Sequence, residues 1–396
     1  MSKLEVGILK SKKPNSGQSR PNRFFKKGII LNNFMSFQKI PELKPLYLER
    51  ITSILNNKED LKKYLEILKI QPVKSIRCNT LKISVEKLKE VLEKKGWVIS
   101  QPWKDFPEVM IVEGKLQDCG ITGGSTKCHR SDLRGSLKET SGCLSPEVMI
   151  VENQLEPGEL GRSLEHLLGY YYIQELSSML PVIALQPKEG DIILDLCAAP
   201  GSKTTQSASL MQNKGTIIAN EVNMGRLMVL ASNLERCGVT NTIISRKDGS
   251  ALCKKFANGE IKFDKILVDA PCSGEGTLRS SRQTYLMWNI KTIQQLSKLQ
   301  KQLFKSAFEI LKINGEMIYS TCTHAPEENE EIVSWALEEF KDQIKIEKIN
   351  LPIKPRQGLT KWEDKEYFEE VKYSCRIYPQ DNNTEGFFLA KFKKIK

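Results

Sequence analysis

One stretch near the middle of the chain, residues 191–205 (DIILDLCAAPGSKTT), limits the possible folds more than any other. A short apolar run over 192–196 carries an acid at Asp195, breaks at Pro200 and Gly201, and resumes as the polar start of a helix. This strand–turn–helix pattern places free backbone N–H groups and the positive end of a helix at the carboxyl end of a strand. In open α/β sheets, nucleotide-like ligands bind at that edge.

The composition of the turn indicates which ligand could bind there. It contains one glycine, Gly201, preceded by Pro200, so it offers fewer free N–H groups than a pyrophosphate requires. A ligand with an adenosine but no phosphate has no such requirement, and S-adenosylmethionine is therefore the ligand that we predict. An ordinary β–α turn that binds nothing is the alternative that this stretch alone leaves open.

Strand-like and helix-like segments alternate from this stretch onward, which predicts a parallel sheet with right-handed crossovers. The strand-like runs cover 192–196, 216–221, 242–245, 265–269 and 316–321. The clearest helical pattern spans 291–312 and is closed by Asn314 and Gly315. Two further strands, 373–378 and 386–392, are predicted to form a final hairpin.

The first part of the chain divides into a basic arm and a small domain. Residues 1–34 are rich in Lys, Arg, Ser and Asn and poor in core residues, which is typical of a flexible arm. Residues 35–117 carry a helical pattern over 43–68, a strand over 75–81, a helix that Ser84 caps and Gly96 ends, and a strand over 97–99. Arg77 and Asn79 lie on the first strand, where they suit contact with RNA, so we predict a small RNA-binding domain.

A duplicated segment separates this domain from the rest of the chain. PEVMIVEGKLQ at 107–117 recurs as PEVMIVENQLE at 146–156, with eight of the eleven positions identical. We interpret the interval as a duplication with an inserted exposed loop, 118–145, followed by a catalytic domain over 146–396 in which 164–185 form a helix. The spacing of the insert's candidate ligands matches no common zinc pattern, so we expect no metal site at Cys119, Cys128, His129 and Cys143.

The composition narrows the class of partner and compartment. The 396 residues carry a net charge of +12, which favours RNA or DNA as a partner, although a basic surface without one gives the same charge. No apolar run reaches the roughly 18 residues that a membrane span needs, and no signal peptide is recognisable, so we expect no membrane association. Ten cysteines without regular spacing favour a reducing cytoplasm over a disulfide framework.

Acids and thiols follow the ends of successive predicted strands. Glu221, 20 residues after the glycine of the turn, is placed to reach ribose hydroxyls, Asp248 could accept a hydrogen bond from an adenine amino group, and Asp269 ends the fourth strand. Cys272 follows in DAPCSGEGT, and Cys322 follows the fifth strand in YSTCT. Because the carboxyl ends of parallel strands meet at one edge, both thiols should face one cleft.

Two thiols and an acid beside a methyl-donor pocket match what cytosine methylation requires. Carbon 5 of cytosine is too weak a nucleophile to take a methyl group unaided. A thiolate that adds to carbon 6 activates it, an acid at N3 stabilises the developing charge, and a base then removes the carbon 5 proton so that the thiol can leave. A single strand-end cysteine is usually a small core residue, but two in one cleft are better explained by covalent catalysis.

The motifs LCAAPGSKTT, DAPCSGEGT, STCT and PEENEE, with RCNTLK upstream and TEGFF near the end, resemble those of the Nop/Sun-type RNA cytosine-5 methyltransferases, and of the archaeal tRNA enzymes most of all. The resemblance covers roughly residues 40–105 and 146–396. It implies an α/β, Rossmann-like, S-adenosylmethionine-dependent methyltransferase with a seven-stranded, mostly parallel sheet. It also implies a small α+β RRM-like N-terminal domain and a tRNA substrate, and we expect a monomer.

The resemblance also implies roles for individual residues. Cys322 would be the nucleophile, Cys272 would assist release, and Asp269 would contact N3 while lying near the methyl donor. The residues implied to hold S-adenosylmethionine are Cys197, Ala198, Ala199, Pro200, Gly201, Ser202, Lys203, Glu221, Arg226, Asp248 and Asp269. Ser202 departs from the pattern of many relatives, which have glycine there.

Other interpretations stay open at this point. The substrate could be rRNA, another base or DNA, or the chain could be a catalytically silent RNA-binding or assembly factor, although retention of both thiols and of the whole loop argues against the last. His324, two residues after Cys322, could lower the pKa of that thiol, but capping the backbone or facing solvent is the preferred interpretation. The acids around Asn329 are predicted to begin a helix that packs on the sheet.

Overall fold

The structure is a computed structural model that describes residues 43–117, 150–152 and 155–396. The predicted arm over 1–34 and the insert over 118–145, with its candidate zinc ligands, lie outside the described residues. Among the residues described, no helix is long and apolar enough to cross a membrane.

Two helices, not one, cover the first predicted helical segment. They are α1 (Pro45–Leu55) and α2 (Lys58–Ile67). The prediction of continuous helical structure over 43–68 is wrong because Asn56 adopts a left-handed conformation with φ 47°, and Asn57 then caps α2 by accepting a hydrogen bond from the Asp60 N–H at 3.0 Å.

A five-stranded antiparallel sheet follows. One helix lies between its first two strands, and two short helices precede its last strand. Its elements, in chain order, are β1 (Ser75–Cys78), α3 (Val85–Lys94), β2 (Trp97–Ser100), β3 (Val109–Gln117), β4 (Ile150–Glu152), α4 (Glu159–Arg162), α5 (Leu164–Leu167) and β5 (Tyr171–Ile173). The strand order is β2-β3-β1-β5, and β4 pairs with β3. The predicted cap of α3 is confirmed, since Ser84 accepts from the Lys87 N–H at 3.2 Å.

The two copies of the duplicated segment contribute neighbouring strands to this sheet. β3 comes from the first copy and β4 from the second, and they pair antiparallel with Lys115 opposite Glu152 and Gln117 opposite Ile150. The sheet therefore takes strands from both sides of the insert. The division of the chain into domains at 117 and 146 stays a prediction.

The prediction of one helix over 164–185 is wrong. Gly169 has φ 74° and lies so close to Arg236 that a Cβ there would be 1.9 Å from the Arg236 carbonyl oxygen, so the chain turns sharply after α5. The aromatic run that follows forms β5, which pairs with β1, and the next helix is α6 (Leu176–Leu185). Aromatic residues favour strands, and here they pack in the small sheet instead of continuing the helix.

The larger sheet begins after α6 and has nine strands. The remaining strands of the chain are β6 (Ile192–Asp195), β7 (Thr216–Asn220), β8 (Thr242–Ser245), β9 (Phe263–Asp269), β10 (Leu311–Thr321), β11 (Ile344–Glu347), β12 (Arg356–Gln357), β13 (Lys361–Trp362), β14 (Lys365–Glu366), β15 (Cys375–Ile377) and β16 (Phe387–Lys394). The helices are α7 (Ser202–Leu210), α8 (Met224–Cys237), α9 (Gly249–Ala257), α10 (Arg282–Met287), α11 (Ile290–Glu309), α12 (Glu330–Glu339) and α13 (Pro379–Asn382).

The order of this sheet is β12-β15-β16-β10-β9-β6-β7-β8, with β11 paired to β16 and β13-β14 a separate hairpin. Strands β6 to β10 run parallel, and β16 inserts antiparallel beside β10. The predicted final hairpin of β15 and β16 is confirmed. The sheet has two strands more than the predicted seven. β12 pairs with β15 and extends the edge of the sheet, and β11 pairs with the last residues of β16, which buries Ile344 and Ile346.

The end of the longest helix differs from the prediction by one turn. α11 stops at Glu309, and β10 begins at Leu311, so Asn314 and Gly315 lie within a strand and do not close a helix. A register shift between Leu311 and Glu316 accommodates the left-handed Asn314, which has φ 65°. The helix predicted after Asn329 is present as α12, with Ile332 and Phe340 buried in the main core.

Candidate active site

The carboxyl ends of β6 and β9, together with residues of β5 and the start of α6, border a cleft of about 300 Å³. Gly201, with φ 103°, turns the chain from the loop after β6 into α7, as the sequence predicts. Every other residue of the predicted loop lines the cleft, together with one predicted catalytic acid: Cys197, Ala198, Ala199, Pro200, Ser202, Lys203 and Asp269. Small side chains and the start of a helix thus form one wall.

An ion pair lies on the floor of this cleft. The Lys203 Nζ is 2.8 Å from Asp269 Oδ2 and donates to Ser178 Oγ at 3.1 Å, while the Ser320 hydroxyl donates to Asp269 Oδ1 at 2.8 Å. The parallel register that places Ser320 opposite Asp269 produces the last contact. Lys203 is 7% exposed, so its positive charge is stabilised by Asp269 and not by solvent.

Asp195 is a site residue whose role the sequence did not predict. It is buried at the end of β6, lines the cleft, and accepts a hydrogen bond from Thr204 at 2.7 Å. Burial raises the pKa of this carboxyl to about 7, and the nearby Asp269 adds to the effect. Its other oxygen, Oδ1, has no hydrogen-bond partner among the described residues.

The predicted ribose and adenine contacts lie outside the residues that line the cleft. Glu221 is buried, accepts from the Asn223 N–H at 2.8 Å and lies 3.3 Å from Arg226, which in turn donates to the Ala199 carbonyl at 2.7 Å. Glu221 and Arg226 therefore stabilise the loop after β6 by contacts made outside the cleft. Asp248 is exposed and caps α9 by accepting from the Ala251 N–H at 3.0 Å.

The two predicted catalytic thiols are in contact. The Cys272 and Cys322 sulfurs are 3.2 Å apart, and the Cys322 N–H donates to the Cys272 sulfur at 3.3 Å. Contact with Cys322 and burial together raise the pKa of the Cys272 thiol well above its usual value. Neither sulfur lines the cleft described above, but Asp269, which does line it, lies on the same strand-end segment as Cys272.

Buried residues of the PEENEE motif fix the two cysteine loops. Glu328 accepts from the Ser273 N–H at 3.0 Å and from Gln300 at 2.8 Å. Asn329 accepts from Thr321 at 2.6 Å and donates to the Thr323 carbonyl at 2.9 Å, so it holds the residues on both sides of Cys322. This motif supported the family resemblance and a predicted helix start, but the sequence did not predict that Glu328 and Asn329 would be buried beside the thiol loops.

Two glycines allow the last motif to pack against the thiols. The Gly276 N–H donates to the Cys322 carbonyl at 2.9 Å, and its own carbonyl accepts from the Gly386 N–H at 2.8 Å. A Cβ at Gly276 would lie 2.2 Å from the Gly386 carbonyl oxygen. The contact between the TEGFF segment and the segment after Cys272 therefore requires glycine at both Gly276 and Gly386.

His324 neither faces solvent nor carries a charge that could stabilise a thiolate at Cys322. It is buried, stacks on Tyr378 with ring centroids 5.0 Å apart, and meets Tyr64 edge-on at 5.8 Å. Burial, with a smaller contribution from Arg376, lowers the pKa of its imidazole to about 3, so the ring is neutral. A neutral ring cannot stabilise a thiolate by charge, and a buried one does not face solvent.

Arg77 and Asn79 also differ from their predicted role. Both are 3% exposed, so neither presents an RNA-binding surface. Asn79 donates to the Gly169 carbonyl at 2.8 Å and to the Cys237 carbonyl at 2.7 Å, and Arg77 donates into the first turn of α7. They connect the small sheet to the larger one because their strand lies at the junction of the two.

Glu328 gives the fold a specific pH dependence. Burial raises the pKa of its carboxyl to about 7, above the roughly 4.3 of an unfolded chain, so the folded state binds this proton more tightly. The resulting stabilisation is complete below about pH 4 and is lost as the pH rises through 7. Between about pH 4.5 and 8, the free energy of unfolding should fall by about 2–3 kcal/mol more for the wild type than for Glu328→Gln.

Urea titrations at a series of pH values test this expectation. Glu338→Gln, at an exposed position on the following helix α12, is the matched control and should follow the wild type. Parallel curves for the wild type and Glu328→Gln would show that the buried carboxyl does not hold the proton.

The sequence matches the family described as 16S rRNA methyltransferase RsmB/F over residues 182–393. The chain is 41% identical over 272 residues to the tRNA (cytosine(49)-C(5))-methyltransferase of Pyrococcus abyssi, covering 66% of this chain and 86% of that protein. It is 35% identical over 359 residues to ribosomal RNA small subunit methyltransferase F of Psychromonas ingrahamii. That match covers 89% of this chain but only 64% of the bacterial protein.

A solved structure supports the same grouping. NSun6 from Pyrococcus horikoshii with SFG superposes with a TM-score of 0.66 at 27% sequence identity, over 88% of this chain and 97% of the other. The similarity extends over both sheets, since it includes most of the described residues.

Proposed function

The chain belongs to the 16S rRNA methyltransferase RsmB/F family, and we propose that it methylates carbon 5 of a cytosine in tRNA through a covalent cysteine–base intermediate. It is an S-adenosylmethionine-dependent RNA methyltransferase with a Rossmann-like catalytic fold. The observation that carries the proposal is the 3.2 Å contact between the two strand-end thiols, next to the acid that also borders the methyl-donor cleft.

The residues around the cleft fit S-adenosylmethionine. When bound, it supplies an electrophilic methyl group. Ala198 and Ala199 leave room beside the loop, the start of α7 and Lys203 suit a carboxylate, and the unpartnered Asp195 oxygen suits a cationic group. The remaining predicted ligand side chains are Glu221, Arg226 and Asp248, which would have to be reached by the part of the donor that extends past Ala199.

Cys322 is the proposed nucleophile. Its thiolate adds to carbon 6 of the cytosine, which moves electron density towards carbon 5 and N3. Asp269 is placed to face N3 and to pass it a proton from Lys203, its ion-pair partner at 2.8 Å, and the proton returns by the same route when the base is released. The target base reaches this edge of the sheet only when it is extruded from the RNA helix.

Cys272 is proposed to act after methyl transfer. Its raised pKa keeps it a thiol while Cys322 attacks, so the two sulfurs do not compete for the base. In the release step, the Cys272 thiol gives its proton to the departing Cys322 sulfur, and the resulting Cys272 thiolate takes the carbon 5 proton as the double bond is restored. Cys272, in contact with that sulfur, is placed to help it leave.

The small sheet is proposed to be an RRM-like unit that contacts the RNA. The succession β1-α3-β2-β3-α4-α5-β5, with β4 as an additional strand after β3, and the strand order β2-β3-β1-β5 support this, as does the net charge of +12. With Arg77 and Asn79 buried, contact with RNA falls to other residues of this unit. The division into domains 35–117 and 146–396 stays a prediction, and β4 and β5 of this unit come from beyond residue 146.

The choice of tRNA over rRNA follows from the relatives. The relative named as a tRNA methyltransferase shares 41% identity and is covered over 86% of its length, whereas the one named as an rRNA methyltransferase shares 35% and is covered over 64%. Purified protein should methylate unmodified tRNA transcripts and leave matched DNA and small-subunit rRNA fragments unmodified. Methylation of the rRNA fragment alone would overturn this choice of substrate.

A catalytically silent RNA-binding factor is the remaining alternative. Mapping 5-methylcytosine in the host's RNA with and without this gene tests it directly. We expect loss of 5-methylcytosine at discrete tRNA positions. An unchanged map, together with no single-turnover methylation by the purified protein, would favour the silent factor.

A further inference from the structure

Arg77 connects the small sheet to the loop that borders the methyl-donor cleft. From β1, its guanidinium donates to the Ser202 carbonyl at 2.9 Å and to the Thr205 hydroxyl at 2.8 Å. Both acceptors belong to the first turn of α7, which begins at the cleft. Among the described residues, no other side chain of the small sheet forms a hydrogen bond with that turn, so this contact is a specific link between the two sheets.

Two residues near β5 extend the link to the cleft wall. Gln174 accepts a hydrogen bond from Arg77, and the guanidinium lies over the Tyr172 ring at 5.5 Å. The Tyr172 hydroxyl donates to the Pro200 carbonyl at 3.3 Å. Tyr172, Gln174, Pro200 and Ser202 all line the cleft, although Arg77 itself does not.

The charge on Arg77 is unusual for its position. The side chain is 3% exposed, and burial lowers its pKa to about 10, so it remains positive at neutral pH. Among the described residues it forms no ion pair, and its acceptors are neutral oxygens. A cation beside the first turn of a helix opposes the helix dipole. The positive charge of Arg77 therefore destabilises the folded protein at this position, unless a bound anion nearby is stabilised by it.

We propose that Arg77 is a positioning residue for the methyl donor: it fixes the Pro200–Ser202 carbonyls and adds positive potential where the donor's carboxylate binds. This inference rests on the proposed function of the cleft. The small sheet then completes the S-adenosylmethionine site in addition to any contact with RNA. Loss of Arg77 should weaken donor binding without altering the thiols or the RNA-binding surface.

Arg77→Lys and Arg77→Met test the proposal, with Lys82→Met as the matched control. Lys82 also joins the two sheets, donating to the Leu168 and Arg236 carbonyls at 3.0 and 2.7 Å, but it does not contact the loop. Calorimetry with S-adenosylmethionine and no RNA should give a Kd about tenfold higher for Arg77→Lys, because two charge-assisted hydrogen bonds are lost or lengthened. The control should stay within about twofold.

Steady-state kinetics separates positioning from a general loss of structure. We expect the KM for the donor to rise about tenfold in Arg77→Lys, with kcat at saturating donor and the KM for tRNA within about threefold of wild type. Tyr172→Phe, which removes only the contact to Pro200, keeps the test informative if Arg77→Met does not fold. It should raise the donor Kd by about two- to fivefold.

Unchanged donor affinity in folded Arg77→Lys would overturn the inference, and so would an equal loss of donor affinity in Lys82→Met. The proposed function fails separately, if the wild type binds S-adenosylmethionine but does not methylate cytosine in RNA. Donor binding is measured without RNA, so the two failures are distinguishable.

Discussion

Replacement of Cys322 by alanine is expected to abolish methyl transfer while leaving S-adenosylmethionine binding within about twofold of wild type. Carbon 5 of cytosine cannot attack the donor until a thiolate has added to carbon 6, so loss of the nucleophile should lower kcat by at least about 10³-fold. The donor affinity should persist because Cys322 does not line the cleft, which is bordered by the loop after β6. Transfer of a labelled methyl group to tRNA and calorimetry with the donor measure the two effects.

Cys253→Ala is the control for this substitution. Cys253 is buried on α9 in the main core, away from both thiol loops, and its removal should cost stability but not activity at a temperature where the protein stays folded. Residual turnover of Cys322→Ala at more than about a tenth of the wild-type rate would contradict the assignment of the nucleophile.

Replacement of Cys272 by alanine should have the opposite chemical consequence. Addition, N3 protonation and methyl transfer can proceed through Cys322 and Asp269, but release of the base should fail, so a covalent protein–RNA complex should accumulate. Turnover should fall by about 10²-fold or more, while one methyl group per protein is still transferred. Denaturing gel electrophoresis with labelled tRNA detects the complex, because only a covalent bond survives denaturation.

The double variant Cys272→Ala/Cys322→Ala is the matched control and should form no complex. If Cys322→Ala forms the complex and Cys272→Ala turns over normally, the two roles are reversed. The 3.2 Å contact between the sulfurs accommodates either order, so this pair of variants, and not the distance, decides between them.

The sequence correctly predicted the segments whose local residue pattern is compatible with a single type of secondary structure. The run over 192–196, with Pro200 and Gly201 after it, could form only a strand and a tight turn, and both are present. Alternation of strands and helices predicted the parallel sheet. Since parallel strands share a carboxyl edge, the same alternation predicted that Asp269, Cys272 and Cys322 lie close together.

The errors arose where tertiary contacts override local preference. Residues 164–185 have a helical apolar pattern, yet Tyr171–Ile173 form a strand because β1 offers an open edge and Gly169 allows the turn. Arg77 resembled an RNA-binding residue because a basic side chain on a strand carries no local sign of what will cover it. The sequence also did not predict that Asp248 would cap α9, while its contact with the adenine stays a prediction.

The supporting polar residues of the site were the hardest to predict. Glu328 and Asn329 act through contacts with Ser273 and Thr321, which are distant in sequence and meet only when α12 packs on the sheet. A buried acid is recognisable once its burial is known, but the sequence around it reads as a solvated helix start.

The most direct test of the account is identification of the residue that carries the base in Cys272→Ala. The variant is incubated with S-adenosylmethionine and tRNA, the complex is digested with nuclease and protease, and the nucleotide-linked peptide is sequenced by mass spectrometry. We predict a methylated cytidine attached to the peptide that contains Cys322. A nucleotide on any other residue, or normal turnover with no linked peptide, would contradict the claim that Cys322 attacks the base and Cys272 releases it.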